Sequence, residues 1–232
     1  MQKNKFRFRP PKEVSYIGMA SIGAVSKYSR LAAMGVKIPS DCFDEKDYLN
    51  HRYFSKRLLY LSHMLTHLRK HKKKLGMIDI GWHEELKDPR KPCVSLIYED
   101  WPDLRIVLWP VLDIELFPIN KLSPERNNIR TDTSFENNGD PKLAPTPIYN
   151  ASIIEDMFQF HNASVLRGLT DQFPCFGQVA TLLVAWARNH GLMEGSDGVT
   201  EEFLLEVLKT VLEDTQMVGS NLSSFMVLHQ HH

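Results

Sequence analysis

Two acidic residues, Asp113 and Glu115, are spaced like a pair of metal ligands on a strand. Asp113 and Glu115 alternate on one face just beyond a candidate strand at 104–112, and paired carboxylates can hold the Mg²⁺ ions used in nucleotidyl transfer. Two acids at the end of a strand are more often solvated than bound to a metal ion. We therefore interpret Asp113 and Glu115 as solvated acids at a strand end.

Three histidines, His63, His67 and His71, recur every four residues on one face of a predicted helix. This spacing suits a pair of zinc ligands, but no glutamate follows as in H-E-x-x-H, and no cysteine lies nearby to complete a ligand set. We interpret the histidines as part of a partly exposed helix face.

A compact basic run ends the same helix and contains Arg69, Lys70, Lys72, Lys73 and Lys74. Cations at this end of a helix are stabilised by the helix dipole. The same charges could bind the phosphates of structured RNA, which requires positive charge more than sequence reading. Both interpretations stay open from the sequence.

The N-terminal arm alternates basic and aromatic residues from Lys5 through Phe6, Arg7 and Phe8 to Arg9. Single-stranded RNA suits such a pattern, because its bases stack on aromatic rings while its phosphates pair with cations. An edge strand with two different faces shows the same alternation. We favour the strand.

The composition is that of a globular protein without a net electrostatic bias. The 232 residues include 28 basic and 28 acidic side chains, so only local clusters could attract nucleic acid. The three cysteines lie far apart in sequence, which argues against a disulfide framework and favours a reducing compartment. No apolar run approaches the ~20 residues of a membrane span, and the basic N-terminus lacks the apolar segment of a secretory signal.

Hydrophobic periodicity predicts that the first half of the chain contains strands and one helix, and that the second half contains only helices. The predicted strands lie at 14–17, 36–39, 77–82, 94–98 and 104–112. The predicted helices lie at about 45–73, 151–169, 179–190 and 200–213. The proline-rich segment 118–150 between these halves is predicted to be a long surface loop.

Several motifs, in the same order, resemble those of the Nrap family (nucleolar RNA-associated protein), a subunit of the small-subunit processome. The most specific is the charged and aromatic segment 44–57, which resembles the family signature DKDxLNxRYFxKR. The remaining matches resemble VGSxLLGT, DVAxxMP, NNxR, PTPxYN and LLKVWxRQRG, and they lie at 17–23, 35–39, 127–130, 145–150 and 173–191. Family members are far longer, so the resemblance implies that this chain covers only their first nucleotidyltransferase-like module.

The resemblance implies a nucleotidyltransferase-like fold whose catalytic positions are degenerate. The first carboxylate pair of that fold would fall near Ala33 and Gly35, which carry no acid. The turn serine that would contact phosphate is replaced by Met19, directly after Gly18, and the third carboxylate would lie within 105–109, which offers none. We therefore expect no nucleotidyltransferase activity.

The cations Arg52, Lys56 and Arg57 have two interpretations. Their spacing from Asp44 and Asp47 predicts ion pairs near the start of a helix. In the fold that the resemblance implies, this helix lies beside the degenerate cleft, where its cations could hold RNA or a partner loop. We favour the ion pairs and keep the three cations as candidate RNA contacts beside the basic run.

The resulting expectation is an α/β fold, with a nucleotidyltransferase-like mixed sheet followed by a poly(A)-polymerase-like helical module. The expected division is a basic arm at 1–11, a nucleotidyltransferase-like domain at 12–117, a linker at 118–144 and a helical domain at 145–232. The resemblance implies a non-catalytic scaffold of the nucleolar small-subunit processome, which binds pre-rRNA and assembly proteins without a cofactor, a metal or a membrane.

Two other functions remain open. An active RNA nucleotidyltransferase would need a carboxylate cluster drawn from Asp41, Asp44, Asp113 or Glu115. A protein-only interaction module would bind no RNA, and the salt dependence of RNA binding separates it from a scaffold that contacts phosphates.

Overall fold

The structure, a computed structural model, describes residues 6–25, 30–83, 90–129, 144–194 and 198–216. Some residues singled out above lie outside these ranges. They are residues 1–5 of the basic arm, residues 130–143 of the predicted loop and the C-terminal residues 217–232.

A five-stranded mixed sheet forms the centre of the fold. Its strands are β1 (Glu13–Tyr16), β2 (Leu31–Lys37), β3 (Met77–His83), β4 (Cys93–Tyr98) and β5 (Trp101–Val111). Across the sheet they run β1-β2-β5-β4-β3, with β2 and β5 parallel and the other neighbours antiparallel. The predicted strands are confirmed, although the strand predicted at 36–39 begins earlier, at Leu31.

The described part of the chain also contains four α-helices: α1 (Arg52–Lys70), α2 (Pro147–Gln172), α3 (Phe176–Asn189) and α4 (Glu201–Gln216). A short 3-10 turn, Gly18–Ile22, connects β1 to β2. The α/β class and the three C-terminal helices are therefore confirmed, while the predicted division into domains stays a prediction. No helix in the described part of the chain is long and apolar enough to cross a membrane.

The first helix begins at Arg52, and the prediction that it starts near residue 45 is wrong. Asn50 and His51 have φ angles of 54° and 60°, and this left-handed backbone does not extend a right-handed helix. The preceding residues form turns, in which the Asp44 N–H donates to Asp47 Oδ2 at 2.7 Å. Both acids therefore precede α1 and do not belong to it.

Two apolar clusters share α2. The first cluster contains Tyr53 and Leu61 of α1, residues of the sheet, and Ile153 in the first half of α2. The second cluster contains Leu166 in the second half of α2, with residues of α3, α4 and the Gly18–Ile22 turn. Helix α2 has 26 residues and is therefore about 39 Å long, which lets one helix contribute to both clusters.

The segment predicted as a surface loop is partly buried. Leu122 is 0% exposed and Asn128 is 4% exposed, so the described residues that follow β5 pack onto the protein. The prediction of a surface loop is wrong for this part, because Leu122 buries its side chain in the first apolar cluster.

Candidate nucleic-acid interface

The face of β2 that carries Ala33 and Gly35 is covered by apolar side chains. Alternate strand residues share a face, and the opposing strand β5 is in register with Gly35 at Trp109. A Cβ atom added at Gly35 would overlap the ring of Phe160 from α2 and would lie 2.9 Å from methyl carbons of Ile17 and Val111. The position therefore has no space for a carboxylate.

The Gly18–Ile22 turn is joined to this face, because the Ile17 N–H donates to the Ala33 carbonyl at 3.1 Å. Gly18 has a φ of 54°, and the Met19 side chain is buried in the second apolar cluster. The Ser21 hydroxyl donates to the Gly18 carbonyl at 2.7 Å. The structure thus brings Gly18, Met19, Ala33 and Gly35 together, with Met19 serving as a core residue.

The acids that an active nucleotidyltransferase would need do not converge. Asp41, Asp44 and Asp113 each pair with a different cation: Arg9 at 3.1 Å, Lys56 at 2.8 Å and Lys37 at 2.7 Å, respectively. Glu115 is exposed. Within the described ranges, no group of three His, Cys, Asp or Glu side chains is placed to hold a metal ion.

An acid that was not predicted as a functional or structural centre, Asp156 of α2, connects several elements in the interior. It is 0% exposed and lies 3.1 Å from Nε of Arg57 and 2.8 Å from Nζ of Lys91. Trp109 Nε1 donates to it at 2.9 Å, and the Tyr53 hydroxyl donates to the same carboxylate. These five residues, the Asp156 cluster, tie α2 to α1, to β5 and to the residues before β4.

The charges of the Asp156 cluster stabilise one another. Burial by itself raises the pKa of Asp156, but the positive charges of Lys91 and Arg57 outweigh it, and the pKa is lowered. Burial by itself lowers the pKa of Lys91, but Asp156 and Glu155 outweigh it and raise the pKa. Arg57 and Lys91 also lie 5.9 and 5.4 Å from the Trp109 ring centroid. The carboxylate and both cations are therefore charged at neutral pH.

Two of the candidate RNA contacts are buried, which overturns their suggested role as phosphate ligands. Arg57 is 0% exposed and uses its guanidinium within the Asp156 cluster and on the Pro92 carbonyl. Lys56 is 6% exposed and lies 2.8 Å from Asp44 and 2.5 Å from Asp47. The predicted ion pairs are thus confirmed for Lys56, whereas Arg57 pairs with an acid far away in sequence.

The basic run forms an exposed surface at the C-terminal end of α1. Arg69 and Lys70 end the helix, and Lys72, Lys73 and Lys74 lie in the turn that leads to β3. We call these five residues the basic turn. Lys72 is half-buried and the other four are exposed. Within the described part of the chain, its lysines make no ion pair with a carboxylate.

Arg52 is exposed but is not part of this surface. It begins α1, whereas Lys70 ends it, and the helical rise separates the two positions by about 27 Å. The structure therefore keeps the basic turn together and excludes Arg52, Lys56 and Arg57 from it.

The N-terminal arm packs on α1. Residues 6–11 form no strand, so the prediction of an edge strand is wrong for them. Phe6 and Phe8 stack on His63, with ring centroids 5.7 and 5.6 Å apart, and Phe8 also contacts Tyr60 at 5.0 Å. Prolines at 10 and 11 lack the N–H groups that strand pairing needs. The rings of Phe6 and Phe8 are half-buried against the helix.

Two family motifs, NNxR with Asn128 and PTPxYN with Asn150, meet in a hydrogen-bonded clasp. Asn150 is 0% exposed and donates to the carbonyls of Ser123 and Arg126 at 2.8 and 3.0 Å. Its side-chain oxygen accepts from Asn128 at 2.8 Å, and the Asn128 N–H donates to the Thr146 hydroxyl at 3.0 Å. These motif residues hold the chain after β5 against the start of α2.

Comparisons with known proteins point to one family. The family model described as Nrap protein domain 1 matches residues 1–172. Nucleolar protein 6 of Xenopus laevis is 28% identical over 236 residues, and the human protein of that name is 28% identical over 233 residues. Each alignment covers 97% of this chain and 20% of the relative.

A fungal relative matches as well. The U3 small nucleolar RNA-associated protein 22 of Schizosaccharomyces pombe is 30% identical over 201 residues, which covers 81% of this chain and 17% of that protein. The chain therefore spans about a fifth of the length of the curated relatives it matches.

Proposed function

Because the chain belongs to the Nrap protein domain 1 family, we propose that it acts as a non-catalytic, RNA-binding part of the nucleolar small-subunit processome. The names of the relatives, nucleolar protein 6 and U3 small nucleolar RNA-associated protein 22, support a role in the nucleolus and in rRNA processing. The proposed partners are pre-rRNA and other assembly proteins.

The proposed absence of catalysis rests on the β2 face. If the fold is related to the nucleotidyltransferases, parallel strands β2 and β5 occupy the places of the metal-binding strands, and α2–α4 form the helical module. Phe160 then occupies the space in which a carboxylate at position 35 would hold its metal. The ion pairs of Asp41, Asp44 and Asp113 with separate cations support the same conclusion.

The proposal of RNA binding rests on the basic turn. It places four lysines within five consecutive positions of a chain whose formal net charge is zero. The helix dipole acts only within the last turn of a helix, and Lys72, Lys73 and Lys74 lie beyond the end of α1. The dipole therefore stabilises these three lysines less than Arg69 and Lys70, and their positive charges remain available to RNA phosphates.

Charge reversal tests this proposal. The triple variant Lys72→Glu, Lys73→Glu, Lys74→Glu should bind a pre-18S rRNA fragment at least about tenfold more weakly than the wild-type chain near 0.15 M salt. The slope of log affinity against log salt concentration should become shallower by about two to three, because each lost cation removes roughly one phosphate contact. Fluorescence anisotropy over a salt series measures both quantities.

A second triple variant controls for net charge. Lys121→Glu, Arg126→Glu and Arg167→Glu make the same charge change at exposed positions outside the basic turn. This control should change the affinity by less than about threefold, because its three positions are not part of the basic turn and salt screens exposed charges that do not contact the RNA. Equal losses in both variants would contradict the basic turn as the binding surface. A wild-type chain that binds no RNA would favour the protein-only interaction module.

The non-catalytic proposal has its own test. Incubation of the chain with a 5′-labelled RNA, Mg²⁺ and nucleoside triphosphates should leave the length of the RNA unchanged. Extension of the RNA that depends on Mg²⁺ and on the chain would contradict the proposal and support the active nucleotidyltransferase.

A further inference from the structure

A groove of about 400 Å³ runs along the outer face of α1 and reaches the basic turn. Phe8 of the N-terminal arm forms one wall of the groove. The other lining residues lie along one stripe of α1, and they are Leu59, Ser62, His63, Thr66, His67 and Lys70. From position 59 to position 70 the stripe is about 16 Å long, which equals roughly five nucleotides at the ~3.4 Å rise of a stacked strand.

The groove combines aromatic surface with polar edges, and none of the described residues that line it is acidic. Phe8 stacks on His63 at 5.6 Å, and His67 lies 4.8 Å from His71 between ring centroids. The hydroxyls of Ser62 and Thr66 both donate to helix carbonyls at 2.8 Å. Their oxygens can still accept hydrogen bonds, so the groove offers rings for stacking and polar groups for base edges.

Lys70 belongs both to the groove and to the basic turn. A strand whose bases lie in the groove therefore has the phosphates at its Lys70 end next to the lysines of that turn. Basic residues beside aromatic rings are the arrangement that binds unpaired nucleic acid, because every base has a face that can stack. In double-stranded RNA the bases are stacked on one another and are not available to a protein groove.

We propose that this groove holds unpaired bases of a single-stranded RNA segment while the basic turn holds its phosphates. The inference rests on the proposed RNA-binding function and adds the class of RNA that the surface selects. It assigns the N-terminal arm a role in binding, since Phe8 forms one wall of the groove.

Two neighbouring leucines provide a matched test. Leu59 lines the groove and is 41% exposed, whereas Leu58 is 44% exposed and does not line it. Leu59→Glu and Leu58→Glu thus introduce the same charge at similar exposure on one helix. The probes are a fluorescein-labelled 12-nucleotide oligouridine and an RNA hairpin with a fully paired 12-base-pair stem, each titrated with the full chain.

The wild-type chain should bind the single strand at least about tenfold more tightly than the hairpin. Leu59→Glu should weaken single-strand binding about tenfold, because it removes an apolar contact and places a negative charge against the bound strand, and it should change hairpin binding less than about twofold. Leu58→Glu should leave both affinities within about twofold. A 2-aminopurine in the single strand should be quenched by the wild-type chain and less by Leu59→Glu, and circular dichroism verifies that both variants are folded.

The outcomes separate this inference from the proposed function. If single strand and hairpin bind equally, or if the two leucine variants behave alike, the groove inference is wrong. If the chain still binds RNA in that case, and charge reversal of the basic turn abolishes the binding, the proposed function stands. If the wild-type chain binds neither RNA, both proposals fail.

Discussion

Replacing Asp156 with asparagine removes a buried negative charge that lies against two buried cations. The carboxylate is 3.1 Å from Arg57 and 2.8 Å from Lys91, and all three side chains are at most 3% exposed. Asparagine has nearly the same shape and keeps one oxygen that can accept from Tyr53 or Trp109. The substitution therefore tests the charge of the Asp156 cluster with little change in packing.

The expected cost follows from what each cation retains. Lys91 still has the half-exposed carboxylate of Glu155 at 2.6 Å. Arg57 has no second carboxylate among the described residues and keeps hydrogen bonds to the Pro92 carbonyl and the Cys93 sulfur. Removing one partner of a buried ion pair costs about 3–5 kcal/mol. Since Lys91 is partly compensated, Asp156→Asn should lower the free energy of unfolding by about 3–4 kcal/mol, a large share of the ~5–15 kcal/mol of a typical domain.

Urea unfolding, followed by circular dichroism and tryptophan fluorescence, measures this loss. Glu155→Gln is the matched control, because it removes the neighbouring acid that pairs with the same lysine. The Glu155 side chain is 49% exposed, so the control should cost no more than about 1 kcal/mol. A larger loss of unfolding free energy for Asp156→Asn than for Glu155→Gln would show that the cost comes from the buried charge of Asp156.

The pH dependence gives a second readout. The folded-state pKa of Asp156 lies below its ordinary value of 3.8. The stability that its charge contributes is therefore present above about pH 4 and is lost as the pH falls through the lowered pKa. The difference in unfolding free energy between the wild-type chain and Asp156→Asn should therefore become smaller in acid. A loss below about 1 kcal/mol at neutral pH, or a gap equal at about pH 7 and pH 2, would refute the reasoning.

Three further predictions concern packing and reactivity. Gly35→Ala should lower the free energy of unfolding by about 1–3 kcal/mol through overpacking, whereas Gly81→Ala, with nothing within 4 Å of the added Cβ, should stay within about 0.5 kcal/mol in the same urea assay. Asn150→Ala should cost about 2–3 kcal/mol, since the carbonyls that it satisfies lose their donor; a loss below about 0.5 kcal/mol would show that the clasp is dispensable. Iodoacetamide at about pH 8 should modify half-buried Cys175 in the native chain but not Cys93, because burial raises the pKa of the Cys93 thiol to about 11. Mass spectrometry of the modified peptides checks this, and fast native labelling of Cys93 would contradict it.

Local patterns predicted the elements of this fold well, because each strand or helix carries its own periodicity. The start of α1 could not be predicted in this way. Its position depends on the left-handed backbone at Asn50 and His51, and neither residue type requires that conformation. The arm was predicted wrongly for a related reason, since alternation does not tell whether Phe6 and Phe8 face a sheet or a helix.

Contacts between distant residues were the main feature that the sequence did not reveal. Arg57 has acids nearby in sequence, but its partner Asp156 is 99 residues away. The filling of the β2 face by Phe160 likewise depends on how α2 packs on the sheet. One signal could have indicated the Asp156 cluster. Asp156 lies between apolar residues such as Ile153 and Met157 on a predicted helix, and an acid on a buried helix face requires a cation.

The central claim is that the chain binds pre-rRNA through the basic turn. The most direct measurement is ultraviolet crosslinking of the tagged chain in cells, with sequencing of the bound RNA, for the wild-type chain and for the variant with Lys72, Lys73 and Lys74 changed to glutamate. We expect enrichment of pre-18S rRNA with the wild-type chain, crosslinks at or beside the basic turn, and loss of most of that signal in the variant. Recovery of processome proteins without RNA, or RNA recovery that is unchanged in the variant, would contradict the claim.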